Sequence, residues 1–415
     1  MNILIINHYA GSPEMGMEFR PYYFAKEWTA MGHRVDIIAA DFSHLRRVNP
    51  DVSRDFQEEI IDGIHYHWIK TRRYEGNGGQ RAITMAQFIG KLWLHTGRII
   101  KDMDPDVVID SSTYPLDTYI GQRIRKKSKK KVKVIHEVHD MWPISPVEIG
   151  GMSSKHPFIR VMQRGEDSFC KNSDRIVSLL PNANEYLQKH GMSPKKFSHV
   201  ANGVVLEEWK HPGSLPEEHI CVFRKCKQEN RFILCFFGSH TKSYALDYLI
   251  DAVKQLPEEK LAVVFIGDGI YKKELEKRTE GMENVFHFLP PIPKQSIPSL
   301  FEYIDAVYVA AVNNMFRFGI CMNKLFDAMM GGKPILYAVN APNNYIKEFN
   351  CGISVEAEDT EALKVGILKL LALPEEDREC LGENGRLAAL NHFNYGALSK
   401  KFIELLETEV KEMKS

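Results

Sequence analysis

The sequence lacks a net charge, because 54 Lys and Arg residues balance 54 Asp and Glu residues in a chain of 415. The overall charge therefore predicts no particular partner, and any electrostatic recognition must come from local clusters. Seven cysteines form neither a CxxC pair nor a Cys/His zinc spacing. An odd and scattered set is typical of a reducing compartment and argues against a disulfide framework.

Long hydrophobic stretches are also missing. No apolar run reaches the ~20 residues that cross a bilayer as a helix. Residues 1–7 have neither the basic start nor the length of a signal peptide, and they predict a buried strand instead. We expect a cytoplasmic protein, and we keep peripheral attachment at the inner face of the cell membrane as a hypothesis.

No internal repeat or low-complexity segment interrupts the main pattern, an alternation of short β-branched runs with amphipathic stretches. This alternation predicts parallel sheets covered by helices on both faces. The pattern breaks and restarts once, which predicts an α/β protein with two doubly wound, Rossmann-like domains facing each other across a cleft. The predicted parts are a first domain (1–203), a linker (204–228), a second domain (229–392) and a C-terminal helix that packs back toward the first domain (393–415).

Two turns of the second domain follow predicted strands and are rich in glycine. Small residues at such turns let backbone N–H groups approach a phosphate, aided by the following helix N-terminus. An ordinary βα turn explains each pattern equally well when it is taken alone. The candidate binding residues are Gly238, Ser239, Lys242, Gly267, Asp268 and Gly269.

A lysine and a carboxylate stand at i and i+3 in the segment NKLFDAMMGGKP, which predicts a helix ended by its two glycines and by Pro334. Lys324, in the first helical turn next to Asn323, could neutralise a diphosphate. Asp327, one turn deeper, could accept the hydroxyls of a ribose. A surface ion pair between the two side chains is the alternative.

The segment HEVHD ends a predicted strand of the first domain. A pair such as His139 and Asp140 at the carboxyl end of a strand suits proton transfer or the binding of a sugar hydroxyl. The two histidines and two carboxylates of this segment alternate across the strand, so they cannot converge on a metal. A structural histidine at the sheet edge is the alternative.

The loop 10–20 after the first strand contains Gly16, which could allow a close approach to a phosphate or a sugar. The GxGxxG fingerprint of dinucleotide-binding domains is absent from this loop. We therefore do not predict a dinucleotide cofactor.

The segment 123–133 concentrates eight basic residues in the first domain. Such a cluster is attracted to an anionic leaflet, although a solvated helix end is the alternative. Nucleic-acid binding is not expected, because no aromatic residues for base stacking are interleaved with the charges. The residues predicted to contact an acceptor or a membrane are Arg125, Lys126, Lys127, Lys129 and Lys130.

Taken together and in this order, these segments resemble a family 4 glycosyltransferase of the GT-B fold over nearly the whole chain. The similarity rests on MNILIINHYAGSPEMG, HEVHDMWP, the stretch ending in ANGV, FIGDGIYKKELEK and NKLFDAMMGGKP. The nearest subgroup adds sugars to lipid-linked intermediates of bacterial polysaccharides. The resemblance implies that the first domain binds the acceptor and that the second binds a nucleotide-diphosphate sugar.

The resemblance also implies residue roles. Asp327 matches the second acid of the family's E-x7-E motif, and Gly319 stands where the first acid would be. Ser239 and Tyr244 replace the usual phosphate-binding Arg and Lys, for which Lys242 is a possible substitute. We expect sugar transfer with retention and without a metal or other cofactor. In this scheme His139 holds a hydroxyl of the donor sugar, Asp140 orients His139, and Lys324 stabilises the leaving diphosphate.

Two other functions remain open at the level of the sequence. A nucleotide-sugar epimerase of the same fold would isomerise its substrate without an acceptor. A non-catalytic sugar-nucleotide-binding subunit would bind the nucleotide without transfer, which the missing first acid makes conceivable.

Overall fold

The computed structural model describes residues 1–16, 19–76, 78–148, 150–258, 260–313 and 316–412. The chain divides into two compact units. Unit 1 comprises Met1–Ala201 and Leu398–Ser415, and unit 2 comprises Asn202–Ala397. Each unit is built on one sheet with helices on its faces, which confirms the predicted pair of Rossmann-like α/β domains.

The sheet of unit 1 has eight strands in the order β3-β4-β2-β1-β5-β6-β7-β8. Strand β3 pairs antiparallel with β4, and the other pairs are parallel. β1 and β5 are fully buried except for the first residue of β1, as expected for strands covered on both faces. The strands are β1 (Asn2–Ile6), β2 (Arg34–Ala40), β3 (Gln57–Ile61), β4 (Ile64–Ile69), β5 (Val107–Asp110), β6 (Lys133–Val138), β7 (Arg175–Ser178) and β8 (Phe197–His199).

The hairpin β3–β4 was not predicted, although the sequence contains a signal for it. Asp62 and Gly63 separate two strand-like runs, and both have positive φ, at 49° and 80°. A two-residue turn of this kind matches the twist of a hairpin and favours Asp-Gly. The hairpin adds an antiparallel edge to a sheet that we predicted as parallel throughout.

Helices cover the sheet of unit 1, and the second of them packs on it through one side. Phe88 and Leu92 of α2 belong to the same buried cluster as Ile6, Ile38 and Val108 of the strands. The helices are α1 (Phe19–Ala30), α2 (Gly79–Leu94), α3 (Thr96–Met103), α4 (Thr118–Lys127), α5 (Ile144–Glu148), α6 (Pro157–Asn172) and α7 (Asn184–Lys189).

The sheet of unit 2 has six parallel strands in the order β11-β10-β9-β12-β13-β14. The order reverses direction at β9, where β9 lies between β10 and β12. In open α/β sheets, the carboxyl ends of the strands at such a reversal form the usual ligand position. The strands are β9 (Phe232–Phe237), β10 (Leu261–Ile266), β11 (Phe286–Leu289), β12 (Ala306–Ala310), β13 (Ile335–Ala338) and β14 (Gly352–Ser354).

The predicted linker 204–228 is mostly helical and belongs to unit 2. Its longer helix buries His219, Phe223 and Cys226, so the amphipathic period was present but was read as irregular. The helices of unit 2 are α8 (Leu206–Lys210), α9 (Glu217–Gln228), α10 (Leu246–Val253), α11 (Lys272–Arg278), α12 (Ile297–Leu300), α13 (Asn323–Met330), α14 (Tyr345–Glu348), α15 (Thr360–Ala372) and α16 (Glu375–His392).

The last helix, α17 (Tyr395–Glu412), belongs to unit 1 from Leu398 onward. Phe402 lies edge-on against Trp28, whose indole N–H donates to the carbonyl oxygen of Ser399. Lys133 and Arg175 form ion pairs with Glu409. These contacts hold the end of the chain on the first domain's helices and strands.

Membrane-spanning helices are not found within the described part of the chain, where every helix is too short or too polar to cross a bilayer.

Candidate active site

Two glycine turns meet at the carboxyl ends of β9 and β10. Gly238 and Gly267 have φ values of 133° and 145°, which side chains rarely tolerate. A Cβ atom on Gly267 would lie 1.9 Å from the carbonyl oxygen of Gly238, so the two turns are in direct contact. Only glycine allows this approach. The N–H groups of the two glycines donate to the carbonyl oxygens of Ile266 and Leu289, so both glycines serve the close packing of the turns.

Lys324 of α13 projects its ammonium group onto the Gly238 turn. A Cβ atom on Gly238 would lie 2.6 Å from Lys324 Nζ. The nitrogen is buried and has no hydrogen-bond partner among the described residues. It lies 3.5 Å from the ring centroid of Tyr244 and 4.2 Å from that of Phe236. Burial lowers the pKa of Lys324 to about 7.

An unpartnered cation at this position is poised to bind an anion. It occupies the first turn of α13, where the first N–H groups of a helix lack partners within the helix and attract negative charge. A bound anion would compensate the ammonium for the hydration that it loses on burial, and it would raise the pKa of Lys324 again. Two phosphate groups are the natural ligand for a lysine, a helix start and glycine turns in one place.

Asp327 lies one turn further along α13 and forms no ion pair with Lys324 within the described structure. The surface ion pair that we kept as an alternative is therefore absent. Burial raises the pKa of Asp327 to about 7, while Lys294 lowers it and Glu208 raises it further. Lys294 forms an ion pair with Glu208 at 2.8 Å, so the effect of Lys294 on the pKa of Asp327 is opposed by that of Glu208.

Replacing Asp327 with Asn is expected to stabilise the protein at alkaline pH. The folded pKa of about 7 exceeds the ordinary value of 3.8, so the folded state holds the proton more tightly. The stability of the unchanged protein therefore falls as the pH rises from about 4 through 7. We expect a gain of about 1–3 kcal/mol at pH 8 and a smaller gain at pH 5. Urea denaturation at both pH values measures this, and equal gains would contradict the buried state of the carboxyl group.

The other predicted donor-site residues surround this position with exposed side chains. Ser239, Lys242, Asp268 and Asn323 are all exposed. Lys242 Nζ lies 5.4 Å from the ring centroid of Tyr271. The Asp268 carboxylate accepts the N–H of Gly269, and its carbonyl accepts the N–H of His240. A Cβ atom on Gly269 would lie 2.2 Å from the carbonyl oxygen of His240, so this glycine also serves close packing.

Gly16 belongs to unit 1, in the loop after β1. Its φ is 95°, and it forms an isolated bridge with Arg46. A Cβ atom there would lie 3.0 Å from the backbone nitrogen of Arg47. The structure thus gives this glycine a role in packing two loops at the carboxyl edge of the sheet.

His139, at the carboxyl end of β6, is held by a buried polar network. Its Nε2 lies 2.9 Å from Ser111 Oγ and 3.1 Å from Glu137 Oε2. Glu137 in turn binds Arg20 Nε at 2.9 Å and accepts the hydroxyl of Ser111 at 2.7 Å. Burial alone would raise the pKa of Glu137, but Arg20 and His139 hold it far below its usual range. Glu137 is therefore an anion that orients His139.

The orienting group is thus Glu137 rather than Asp140. Asp140 accepts bonds from the backbone N–H of Met141, the hydroxyl of Ser145 and the indole of Trp142. It stabilises its own turn, and no bond to His139 is present in the described structure. Glu137 and His139 stand at i and i+2 on one strand, a signal for a shared face that the sequence offered and that we did not use. No sequence signal connects Arg20 with Glu137, because 117 positions separate them.

His136 is a core residue without a part in this network. Its ring stacks on Phe169 at 3.8 Å, and burial lowers its pKa to about 3. His136 is therefore neutral. The alternative of a structural histidine in the HEVHD segment thus applies to His136 and not to His139.

One group with the spacing of metal ligands occurs among the described residues. It consists of Glu166, Asp167 and His190, with ligand atoms within 4.8 Å of one another. The Gln163 amide nitrogen contacts all three, at 2.7, 3.0 and 2.9 Å, and Tyr186 donates to Glu166. Because these donors already satisfy the group, its geometry indicates a hydrogen-bonded cluster rather than a metal site.

The basic cluster lies at the opposite edge of the sheet from His139. Lys133 begins β6 beside Val107, whereas His139 follows the end of that strand. Six strand residues separate the two edges by about 20 Å. The structure thus places this cluster apart from His139, and its contact with an acceptor or a membrane stays a prediction. Ion pairs in this cluster join Arg125 to Asp174, Lys130 to Asp104 and Asp106, and Lys133 to Glu409. Lys126, Lys127 and Lys129 are exposed.

Fold and site together define an α/β protein of the GT-B class, which is built from two Rossmann-like domains. Comparisons with known proteins give the family. Residues 222–388 match the family described as Glycosyl transferases group 1, and residues 15–208 match Glycosyltransferase Family 4. The chain belongs to the family 4 glycosyltransferases, as its motifs predicted.

Individual relatives are distant but cover most of the chain. The D-inositol 3-phosphate glycosyltransferase of Salinispora tropica is 21% identical over 85% of this chain and 74% of its own length. HepE of Anabaena, solved with UDP-glucose, has a TM-score of 0.64 at 14% identity, covering 98% of this chain and 99% of its own. WaaG, a glycosyltransferase of lipopolysaccharide biosynthesis, has a TM-score of 0.64 at 17% identity, covering 96% and 98%. At these identities the two structures show the fold alone.

Proposed function

We propose that this glycosyltransferase takes a sugar from a nucleotide-diphosphate sugar bound by unit 2 and transfers it, with retention, to a lipid-linked saccharide acceptor in cell-surface polysaccharide synthesis. The observation that carries the donor assignment is the buried ammonium of Lys324, which has no partner among the described residues. Support for the donor class comes from HepE, which was solved with UDP-glucose. Support for the pathway comes from WaaG, which is named for lipopolysaccharide biosynthesis.

Lys324 is the residue to which we assign stabilisation of the leaving diphosphate. As the bond to the sugar breaks, negative charge grows on the diphosphate, and a fixed cation in a dry position stabilises it more than water would. The N–H groups at the start of α13 add dipoles directed at the same anion. Asp327 would accept ribose hydroxyls. This scheme uses no metal.

His139 is the residue to which we assign the binding of a saccharide hydroxyl. Glu137 and Ser111 occupy its Nε2, and His139 lines a small pocket together with Trp142 and Thr113. We therefore assign the saccharide hydroxyl to Nδ1. A histidine fixed by an ionised carboxylate keeps one tautomer and one orientation. Positioning of this kind accelerates transfer by holding the reacting atoms in line.

The donor assignment predicts that nucleoside diphosphates stabilise the protein against heat. A ligand at 100 times its dissociation constant adds about 2.7 kcal/mol of stability, so a thermal-shift screen of UDP, GDP, ADP and TDP should give a clear rise for one base. The matching sugar nucleotide is then supplied with extracted lipid acceptors, and NMR reads the anomeric configuration of the product. Absence of a shift with every base would contradict the donor assignment. Isomerised donor without acceptor would indicate an epimerase.

A further inference from the structure

Helix α2 of unit 1 is apolar on its inner and its outer sides. Its inner side buries Thr84, Met85, Phe88 and Leu92 against the sheet. Its outer side carries residues that recur at helical spacing and form a surface that we call the α2 face. The α2 face consists of Ile83, Ala86, Gln87, Gly90, Trp93 and Leu94.

The α2 face is exposed although most of its residues are hydrophobic. The exposed fractions are 47% for Ile83, 42% for Trp93 and 79% for Leu94. The single polar member, Gln87, accepts the backbone N–H of Arg72 at 3.0 Å. A surface helix usually turns charged residues outward. Here none of the six positions is charged, and a contiguous apolar surface of this kind marks an interaction site.

Basic residues border the α2 face at its C-terminal end and along its middle. At the C-terminal end, the Arg123 guanidinium lies 4.0 Å from the Trp93 ring centroid, and its Nε donates to the Trp93 carbonyl at 3.2 Å. Lys127 follows one turn later on α4 and is exposed. Near the middle of the helix, Arg72 and Arg73 are exposed beside Gln87. The rim of the α2 face is therefore positive.

We propose that the α2 face is the surface by which this protein adsorbs to an anionic lipid bilayer, with α2 lying in the plane of the membrane. An apolar helix side with Trp and Leu, flanked by Lys and Arg, has the composition of helices that lie in the membrane interface. The basic rim complements anionic headgroups. A second copy of the chain fits less well, because a symmetric contact would bring two identical basic rims together.

This surface adjoins the edge of unit 1 at which we place the saccharide bound by His139, and this link rests on the proposed function. Arg81, in the first turn of α2, donates to the Tyr9 hydroxyl at 3.0 Å. Its guanidinium lies 5.8 Å from the ring centroid of Trp142, which lines the pocket of His139. A bilayer on the α2 face would thus bring the headgroup of a lipid-linked saccharide to the His139 end of the helix.

Flotation with lipid vesicles tests the proposal. We expect the protein to float with vesicles of 40% phosphatidylglycerol in phosphatidylcholine, and to remain behind with phosphatidylcholine alone or when 0.5 M NaCl screens the charges. The double variant Ile83→Glu/Leu94→Glu should lower the partition coefficient at least tenfold. Ile270→Glu is the matched control, since Ile270 is 97% exposed in unit 2, and it should float like the unchanged protein. Equal flotation of the double variant, or no flotation of the unchanged protein, would overturn the proposal.

Two further measurements keep the result unambiguous. Brominated acyl chains should quench the fluorescence of Trp93, and the Trp93→Phe variant should lose that quenching; quenching that survives this substitution would contradict the α2 face. Sedimentation without vesicles should show the same oligomeric state for the unchanged protein and the double variant, whereas a dimer that dissociates in the variant would assign the face to a second copy. Because flotation does not depend on the donor, Lys324→Met should float normally, which separates failure here from failure of the proposed function.

Discussion

Replacing Lys324 with Met is expected to reduce sugar transfer 100- to 1,000-fold while leaving the melting temperature unchanged or higher. Removing one group aimed at developing negative charge typically costs about 2.7–4 kcal/mol in the transition state. Methionine keeps the volume of the side chain beside the Tyr244 and Phe236 rings. Initial rates with the identified donor, together with calorimetric titration of its nucleoside diphosphate, measure the loss.

The stability of the same variant has a predictable dependence on pH. The folded pKa of Lys324, about 7, lies below its ordinary value of 10.5. The free-energy cost of burying its charge is therefore greatest below pH 7, and this cost disappears as the pH rises from 7 to 10.5. Contact with two aromatic rings offsets part of this cost. The variant should therefore gain most at pH 6. Lys242→Met, a change at an exposed lysine of the neighbouring turn, is the control. Transfer within threefold of the unchanged protein would refute the anion site.

Replacing Glu137 with Ala is expected to lower the free energy of unfolding by about 3–5 kcal/mol, the usual cost of breaking a buried ion pair. The substitution leaves Arg20 buried without its carboxylate, although the carbonyl oxygens of Val200 and Ala201 still accept two of its bonds. It also frees the imidazole of His139, so that transfer should fall more than stability alone explains. Urea denaturation and initial rates at a temperature where the variant is folded give the two quantities.

Asp140→Asn is the comparison for the Glu137 variant. Asp140 is exposed and bonds only within its own turn among the described residues, and we expect a stability loss below about 1 kcal/mol. Transfer should remain within severalfold of normal. If Asp140→Asn abolished transfer while a conservative Glu137→Gln left it intact, the assignment of the orienting carboxylate would be reversed.

The parts of the fold that depend on local pattern were accessible from the sequence. Runs such as NILIIN and LAVVFIGDG are apolar throughout, and only strands buried on both faces keep such residues out of water. The glycines at 238 and 267 marked sharp turns for the same local reason. Where a local signal was overlooked, as with Asp62-Gly63 in the hairpin and Phe223 in α9, the error lay in the interpretation of the pattern.

Single residues of the candidate site were predictable from the sequence, but the contacts between them were not. Lys324 and His139 stood out because their residue types and positions at element ends suit binding. Gly238 was also predicted as a binding residue, but its contact with Lys324 was not, since 86 positions separate the two. The bond between Arg20 and Glu137 was hidden in the same way by a separation of 117 positions. The position of the basic cluster was also not predictable, because charge in the sequence carries no information on the edge of the sheet at which it will lie.

By itself, then, the order of residues determined two α/β domains, their glycine turns and the family to which the chain belongs, because these depend on local periodicity and on motifs a few residues long. Only the tertiary structure decided that Lys324 lies beside Gly238 without a hydrogen-bond partner among the described residues. It also decided that Glu137 rather than Asp140 holds His139, and that α2 exposes an apolar side. Each of these depends on which distant side chains share a buried volume, and desolvation and pairing in that volume are set by packing across the sheet.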